Sequence, residues 1–153
     1  MIEEPVLLLV EDNEADVELI AEILYAGEPA LMLSVVKDGV AAVEALGDMA
    51  AAGGGSLPDL VLLDLNLPRK DGRQVLAEIR SDMRMRHVPV VVLTSSDTED
   101  DVLRSYQLGA NSYVIKPGEL HEYRSTVEAI RNYWLGVAAL PHGRGQSGVG
   151  GNA

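Results

Sequence analysis

VLLLVEDNEADVEL, residues 6–19, breaks an apolar run at two adjacent acids, Glu11 and Asp12, and then changes its period. Val6 to Val10 is continuous and aliphatic, the pattern of a strand covered on both faces. After Asn13, a residue suited to capping a helix, Val17, Ile20, Ala21 and Leu24 fall at i, i+3, i+4 and i+7 and share one helical face. Strand, acidic turn and amphipathic helix together make one βα unit.

The same unit recurs outward along the chain. LMLSVV (31–36), DLVLLD (59–64), VPVVVLT (88–94) and SYVI (112–115) read as further strands buried on both faces. Helical spacing returns between them, in Val75, Leu76, Ile79 and Met83, and more briefly in Val102, Leu103 and Tyr106. The order βαβαβαβαβα predicts a parallel sheet with helices on both faces, since each right-handed crossover lays a helix against the sheet. AAGGGS (51–56) reads as a flexible loop, and the Gly-rich run over 143–153 has too little apolar area to fold. Neither is a second domain, so the chain is expected to carry no effector module.

Composition narrows the function. A length of 153 residues suits a single core. The net charge of −12 argues against a nucleic-acid partner, which would need clustered Lys and Arg. The absence of cysteine excludes disulfides and thiolate chemistry. His87, His121 and His142 lack metal-ligand spacing and read as surface or capping residues. No basic leader or bilayer-length apolar stretch is present, which gives a cytoplasmic reading without a membrane partner.

In an open parallel α/β sheet, ligands bind beyond the carboxyl ends of the strands, where strand order reverses. Glu11 and Asp12 end the first strand and Asp64 ends the third. If these strands are neighbours, as in a 2-1-3-4-5 order, their carboxylates converge. At about 4 Å and an effective dielectric near 20, each like-charged pair costs roughly 4 kcal/mol, so the acids need a cation or must protonate. Mg²⁺, or Mn²⁺ in its place, suits such oxygen ligands and accepts a phosphate oxygen as well. Asn66, two residues beyond Asp64, could add its backbone carbonyl. Thr94 and Lys116 close the fourth and fifth strands with a hydroxyl and an ammonium able to bind phosphoryl oxygens. Asp64 is then the candidate nucleophile of a phosphoryl transfer.

With VEDNEAD, VKDGVAAVEAL, DLVLLDLNLPRKDG, VVVLTS and LGANSYVIKP in this order, the chain resembles a response-regulator receiver domain of two-component signalling over residues 6 to about 135. The resemblance implies a flavodoxin-like (βα)5 doubly wound fold, with a receiver domain over 1–140 and a Gly-rich flexible tail over 141–153. It implies metal binding by Glu11, Asp12, Asp64 and the Asn66 carbonyl, and phosphorylation of Asp64 by a histidine kinase. It further implies phosphoryl contacts from Thr94 and Lys116, a switch in which Tyr113 reorients as Thr94 moves, and a cis Lys116-Pro117 bond. Gly118 departs from the apolar residue that often follows Lys-Pro in the family. DLNLPRKDGR, LTSSD and YWLGVAALP resemble the stand-alone regulators of phytochrome-type kinases, which implies a bacteriophytochrome-type partner.

Tyr123, Val127, Ile130, Trp134 and Val137 alternate spacings of four and three, a stripe suited to packing on the sheet. YWLGVAAL (133–140) is nonetheless apolar nearly all round, which predicts a homodimer through the fourth and fifth helices and the last strand. A flavodoxin-type carrier shares the fold, but acids occupy the place of its phosphate loop. An Asp-nucleophile phosphatase would carry a second Asp where Asn66 stands. A degenerate receiver scaffold is the remaining alternative, although every group needed for phosphorylation is present. The expected molecule is thus not a conventional enzyme but a phosphoacceptor that catalyses its own phosphorylation and dephosphorylation.

Overall fold

The computed structural model describes residues 4–141. Five parallel strands, β1 (Val6–Val10), β2 (Met32–Val36), β3 (Leu60–Leu63), β4 (Val90–Thr94) and β5 (Ser112–Ile115), lie in the order β2-β1-β3-β4-β5. The helices between and after them are α1 (Glu14–Ala26), α2 (Gly39–Ala51), α3 (Gly72–Ser81), α4 (Glu99–Gln107) and α5 (Leu120–Asn132). This is the parallel sheet expected from the alternation, in the flavodoxin-like doubly wound form that the family resemblance implies.

Strand pleating divides the core in two. Leu8, Val10, Val61, Leu63, Val90 and Val92 face Ala42 and Leu46 of α2 and Val75, Leu76 and Ile79 of α3. The alternate residues Leu7, Leu9, Leu60, Leu62, Val91 and Leu93 face Ile20, Ile23 and Leu24 of α1 and Tyr123, Val127 and Ile130 of α5. The expectation of burial on both faces holds for β3 and β4 but fails at the edges. Met32 and Val35 of β2 and Ile115 of β5 are exposed, because an edge strand has a neighbour on one side only.

Helical spacing also overreached at three places. Asp82 adopts an extended conformation at the end of α3, so Met83 points outward and Met85 is buried instead. In α4 only Ser105 is buried, while Leu103 and Tyr106 are exposed. After α5 the backbone forms a π turn over Tyr133–Val137, in which the Ala138 amide donates to the Tyr133 carbonyl at 2.7 Å. That turn holds more residues than an α turn, which brings Leu135 inward and leaves Val137 exposed.

The run over 51–56 is more ordered than a plain loop and contains a 3₁₀ turn at Gly54–Ser56. Arg131 of α5 is buried and closes the α1–β2 loop, donating from Nε to the Leu24 carbonyl at 2.8 Å, from one terminal nitrogen to Glu28 at 2.7 Å, and from the other to Pro29. Gly27 permits this approach, since a Cβ there would stand 2.6 Å from Arg131 Nε. His142 and residues 143–153 of the expected tail lie outside the described residues. Among the described residues, no helix is long and apolar enough to cross a membrane.

Candidate functional site

The site is built where the strands end. The Glu11 amide donates to the Val36 carbonyl at 3.0 Å and the Asp64 amide to the Val10 carbonyl at 3.0 Å. These bonds extend the β2, β1 and β3 ladders by one residue and set the acids side by side. On the other flank the Lys116 amide donates to the Thr94 carbonyl at 2.7 Å, which continues the pairing of β5 with β4. The strand order brings Glu11, Asp12, Asp64, Thr94 and Lys116 together at one rim, as the sequence reading anticipated.

One oxygen from each of Glu11, Asp12 and Asp64 lies within 4.8 Å of the others, a group of hard donors suited to a divalent cation. Glu11 and Asp64 are buried, and Asp12 is exposed toward solvent. Burial pushes the Glu11 carboxyl up to about 7, and the charge of Asp64 adds to the rise against the opposing hydrogen bond from Lys116. The acids therefore sit under electrostatic pressure that a bound cation would relieve. Asn66 is exposed, and its amide is directed at Asp64 Oδ1 at 3.4 Å.

Lys116 spans the acids from the opposite side. Its Nζ donates to Glu11 Oε1 at 2.6 Å, to Asp16 Oδ2 at 3.0 Å and to Asp64 Oδ2 at 3.4 Å. Burial disfavours the ammonium, but the hydrogen bond to Glu11 and the charge of Asp64 outweigh it, so the net shift of its pKa is upward. Thr94 is completely buried, and its Oγ1 has no hydrogen-bond partner among the described residues. A buried hydroxyl left alone is costly, and such a group commonly marks a place where a ligand oxygen belongs.

Tyr113 reaches from β5 into the β4–α4 loop, where its hydroxyl donates to the Ser96 carbonyl at 2.9 Å. The Ser96 hydroxyl donates in turn to Asp101 of α4, which also receives Arg73 of α3. The expected cis bond at Lys116-Pro117 is not found; among the described residues the cis peptide is Glu28-Pro29. A Lys-Pro pair alone could not fix the isomer, because the trans preference before proline is only about 0.5–1 kcal/mol and local packing can tip it. His87 and His121 are at the surface.

Sequence reasoning passed over Asp16 and Tyr123. The sequence reading assigns Asp16 no role and places Tyr123 in the apolar stripe of α5. The available signal was the fourth acid of VEDNEAD, Asp16, in the first turn of α1 just beyond the acidic pair.

Residues 7–128 match the family model described as the response regulator receiver domain. The chain is 43% identical over 136 residues to the response regulator Rcp1 of Synechocystis, covering 89% of this chain and 92% of that protein. It is 44% identical over 136 residues to FilR2 of Methanothrix harundinacea, covering 89% of this chain and 87% of that protein. The phosphorylated cyanobacterial phytochrome response regulator RcpA has a similar solved structure, with TM-score 0.85, 44% identity, and coverage of 91% of this chain and 99% of the other. The Mn(2+)-bound form of Rcp1 gives TM-score 0.80 at 42% identity, covering 90% of this chain and 99% of the other.

Proposed function

The chain belongs to the response regulator receiver domain family, and on that premise we propose that it is a phosphorylation switch whose acceptor is Asp64. The partner supplying the phosphoryl group is a histidine kinase of the bacteriophytochrome type, a reading supported by the likeness to RcpA. One observation carries the chemistry: the orphaned Thr94 hydroxyl ends β4, between the strands that lead to Asp64 and Lys116.

An Asp64 oxygen attacks the phosphorus of phosphohistidine, the O–P bond forms as the N–P bond breaks, and the histidine nitrogen keeps the electron pair and takes a proton from solvent. Lys116 already donates to Asp64 and is placed to follow charge onto a phosphoryl oxygen, while the Thr94 hydroxyl gains its missing partner. Glu11, Asp12, Asp64 and the Asn66 carbonyl would hold Mg²⁺ or Mn²⁺, which supplies charge neutralisation for the transfer. Hydrolysis of the acyl phosphate restores Asp64 and releases inorganic phosphate. The chain is thus a phosphoacceptor that catalyses its own phosphorylation and dephosphorylation.

Output is by changed protein contacts, with Tyr113 moving as Thr94 is drawn to the phosphoryl group. The contact surface is a homodimer through α4, β5 and α5, supported by the exposed Leu103, Tyr106, Ile115 and Leu120 on those elements. Intact mass after incubation with acetyl phosphate and Mg²⁺ tests the central step. One added phosphoryl group is expected, lost in Asp64→Asn and in the presence of chelator; no addition under any condition would remove the proposal.

A further inference from the structure

Lys116 has three N–H donors, and all three are engaged, by Glu11, Asp16 and Asp64. Of these acids Asp16 is the one outside the convergent group of Glu11, Asp12 and Asp64, yet it lies nearer to Nζ than Asp64 does, at 3.0 Å against 3.4 Å. Asp16 is itself fixed from two directions. Asn13, the N-cap of α1, accepts the Asp16 amide through Oδ1 at 3.0 Å. The hydroxyl of Tyr123, buried in the core under α5, donates to Asp16 Oδ1 at 2.8 Å. A buried tyrosine hydroxyl needs such a partner, and here the partner's second oxygen faces the ammonium.

We propose that Asp16 is a positioning residue that holds the Lys116 ammonium aimed at Asp64 and couples it, through Tyr123, to α5. The proposal rests on the reading of Asp64 as phosphoacceptor for its catalytic consequence, but the geometry of Lys116 can be examined by itself. A free lysine side chain has many rotamers, and holding it in one gathers the entropy cost before the phosphoryl group arrives. Asp16 supplies that restraint from α1 without occupying a place among the metal-facing oxygens. Its link to α5 gives the site a second route to the proposed dimer face, separate from the path through Thr94 and Tyr113.

A double-mutant cycle separates positioning from general disruption. Asp16→Asn keeps an oxygen for Tyr123 but removes the charge facing Lys116. It is expected to slow phosphorylation by acetyl phosphate and Mg²⁺ about tenfold in the otherwise native chain, and by less than twofold in a Lys116→Gln background. Equal slowing in both backgrounds, or none in the native one, would overturn the proposal. A second measurement does not depend on phosphorylation: protein carrying ε-¹³C lysine, with Lys116→Gln identifying the Lys116 signal by its loss. That signal is expected to stand apart from the solvated lysines and to move toward them in Asp16→Asn, with a smaller movement in Tyr123→Phe. An unmoved signal in Asp16→Asn overturns the proposal whatever the kinetics. A native chain that gains no phosphoryl group while its lysine signal responds would remove the phosphoacceptor reading and leave the positioning role standing.

Discussion

Thr94 shows most directly how function sets the residue at a position. It is fully buried and its hydroxyl has no partner among the described residues, so the folded protein bears the desolvation of a group that, under the proposed function, a phosphoryl oxygen would satisfy. Thr94→Val should therefore stabilise the unphosphorylated chain by about 1 kcal/mol, read as a higher urea midpoint, while slowing phosphorylation in the mass assay. The acids, the threonine and the lysine were legible because each ends an apolar run, and the rule that parallel sheets bind at their carboxyl edge assembles them. Asp16 and Tyr123 were not legible, since they stand 107 positions apart and each has a sufficient local explanation. Only the packing of α5 against α1 reveals that they meet.

The sequence of α3 binds it tightly to β3. Gly72 opens the helix beside the end of β3, where a Cβ would stand 2.3 Å from the Asp64 carbonyl oxygen and 2.7 Å from Leu65 Cα. Gly72→Ala must push backbone against backbone and is expected to cost about 2 kcal/mol in urea unfolding. The fourth helix is held differently. With only Ser105 buried, α4 depends on Asp101, which accepts from Ser96 and from Arg73. The Ser96 hydrogen bond, then Arg73, draws the Asp101 carboxyl below its ordinary value of 3.8. A depressed folded value means that this stabilisation is complete above pH 3.8 and is lost as pH falls through the lower, folded-state value. Asp101→Asn should speed amide exchange across 99–107 at neutral pH, and the difference from the native chain should shrink below pH 3.8. The helical period of this segment was readable, but its attachment was not, because the attachment is polar and leaves no trace in the apolar period.

At the scale of the molecule, the alternation of strands and helices was enough to predict a parallel sheet covered on both faces, whereas the order 2-1-3-4-5 came from the family resemblance and is the order found. The C-terminal apolar stripe holds as far as Trp134, which packs partly buried against the core, and fails at Val137, which the π turn leaves exposed. The exposed apolar residues of α4, β5 and α5 carry the dimer proposal. Light scattering at micromolar concentration should return twice the mass of one chain, and Leu103→Arg, which replaces a residue 57% exposed, should return it to one. The buried Arg131 has a consequence for biosynthesis. It closes a loop preceding β2 with a guanidinium more than a hundred residues downstream, just as Lys116 reaches back to Glu11. A chain emerging from the ribosome N-terminus first, at about 5–20 residues per second, must therefore wait several seconds for α5 before its first loop can close. During that interval the early strands are in need of shielding, and a nascent chain arrested before Arg131 is the form expected to recruit chaperones.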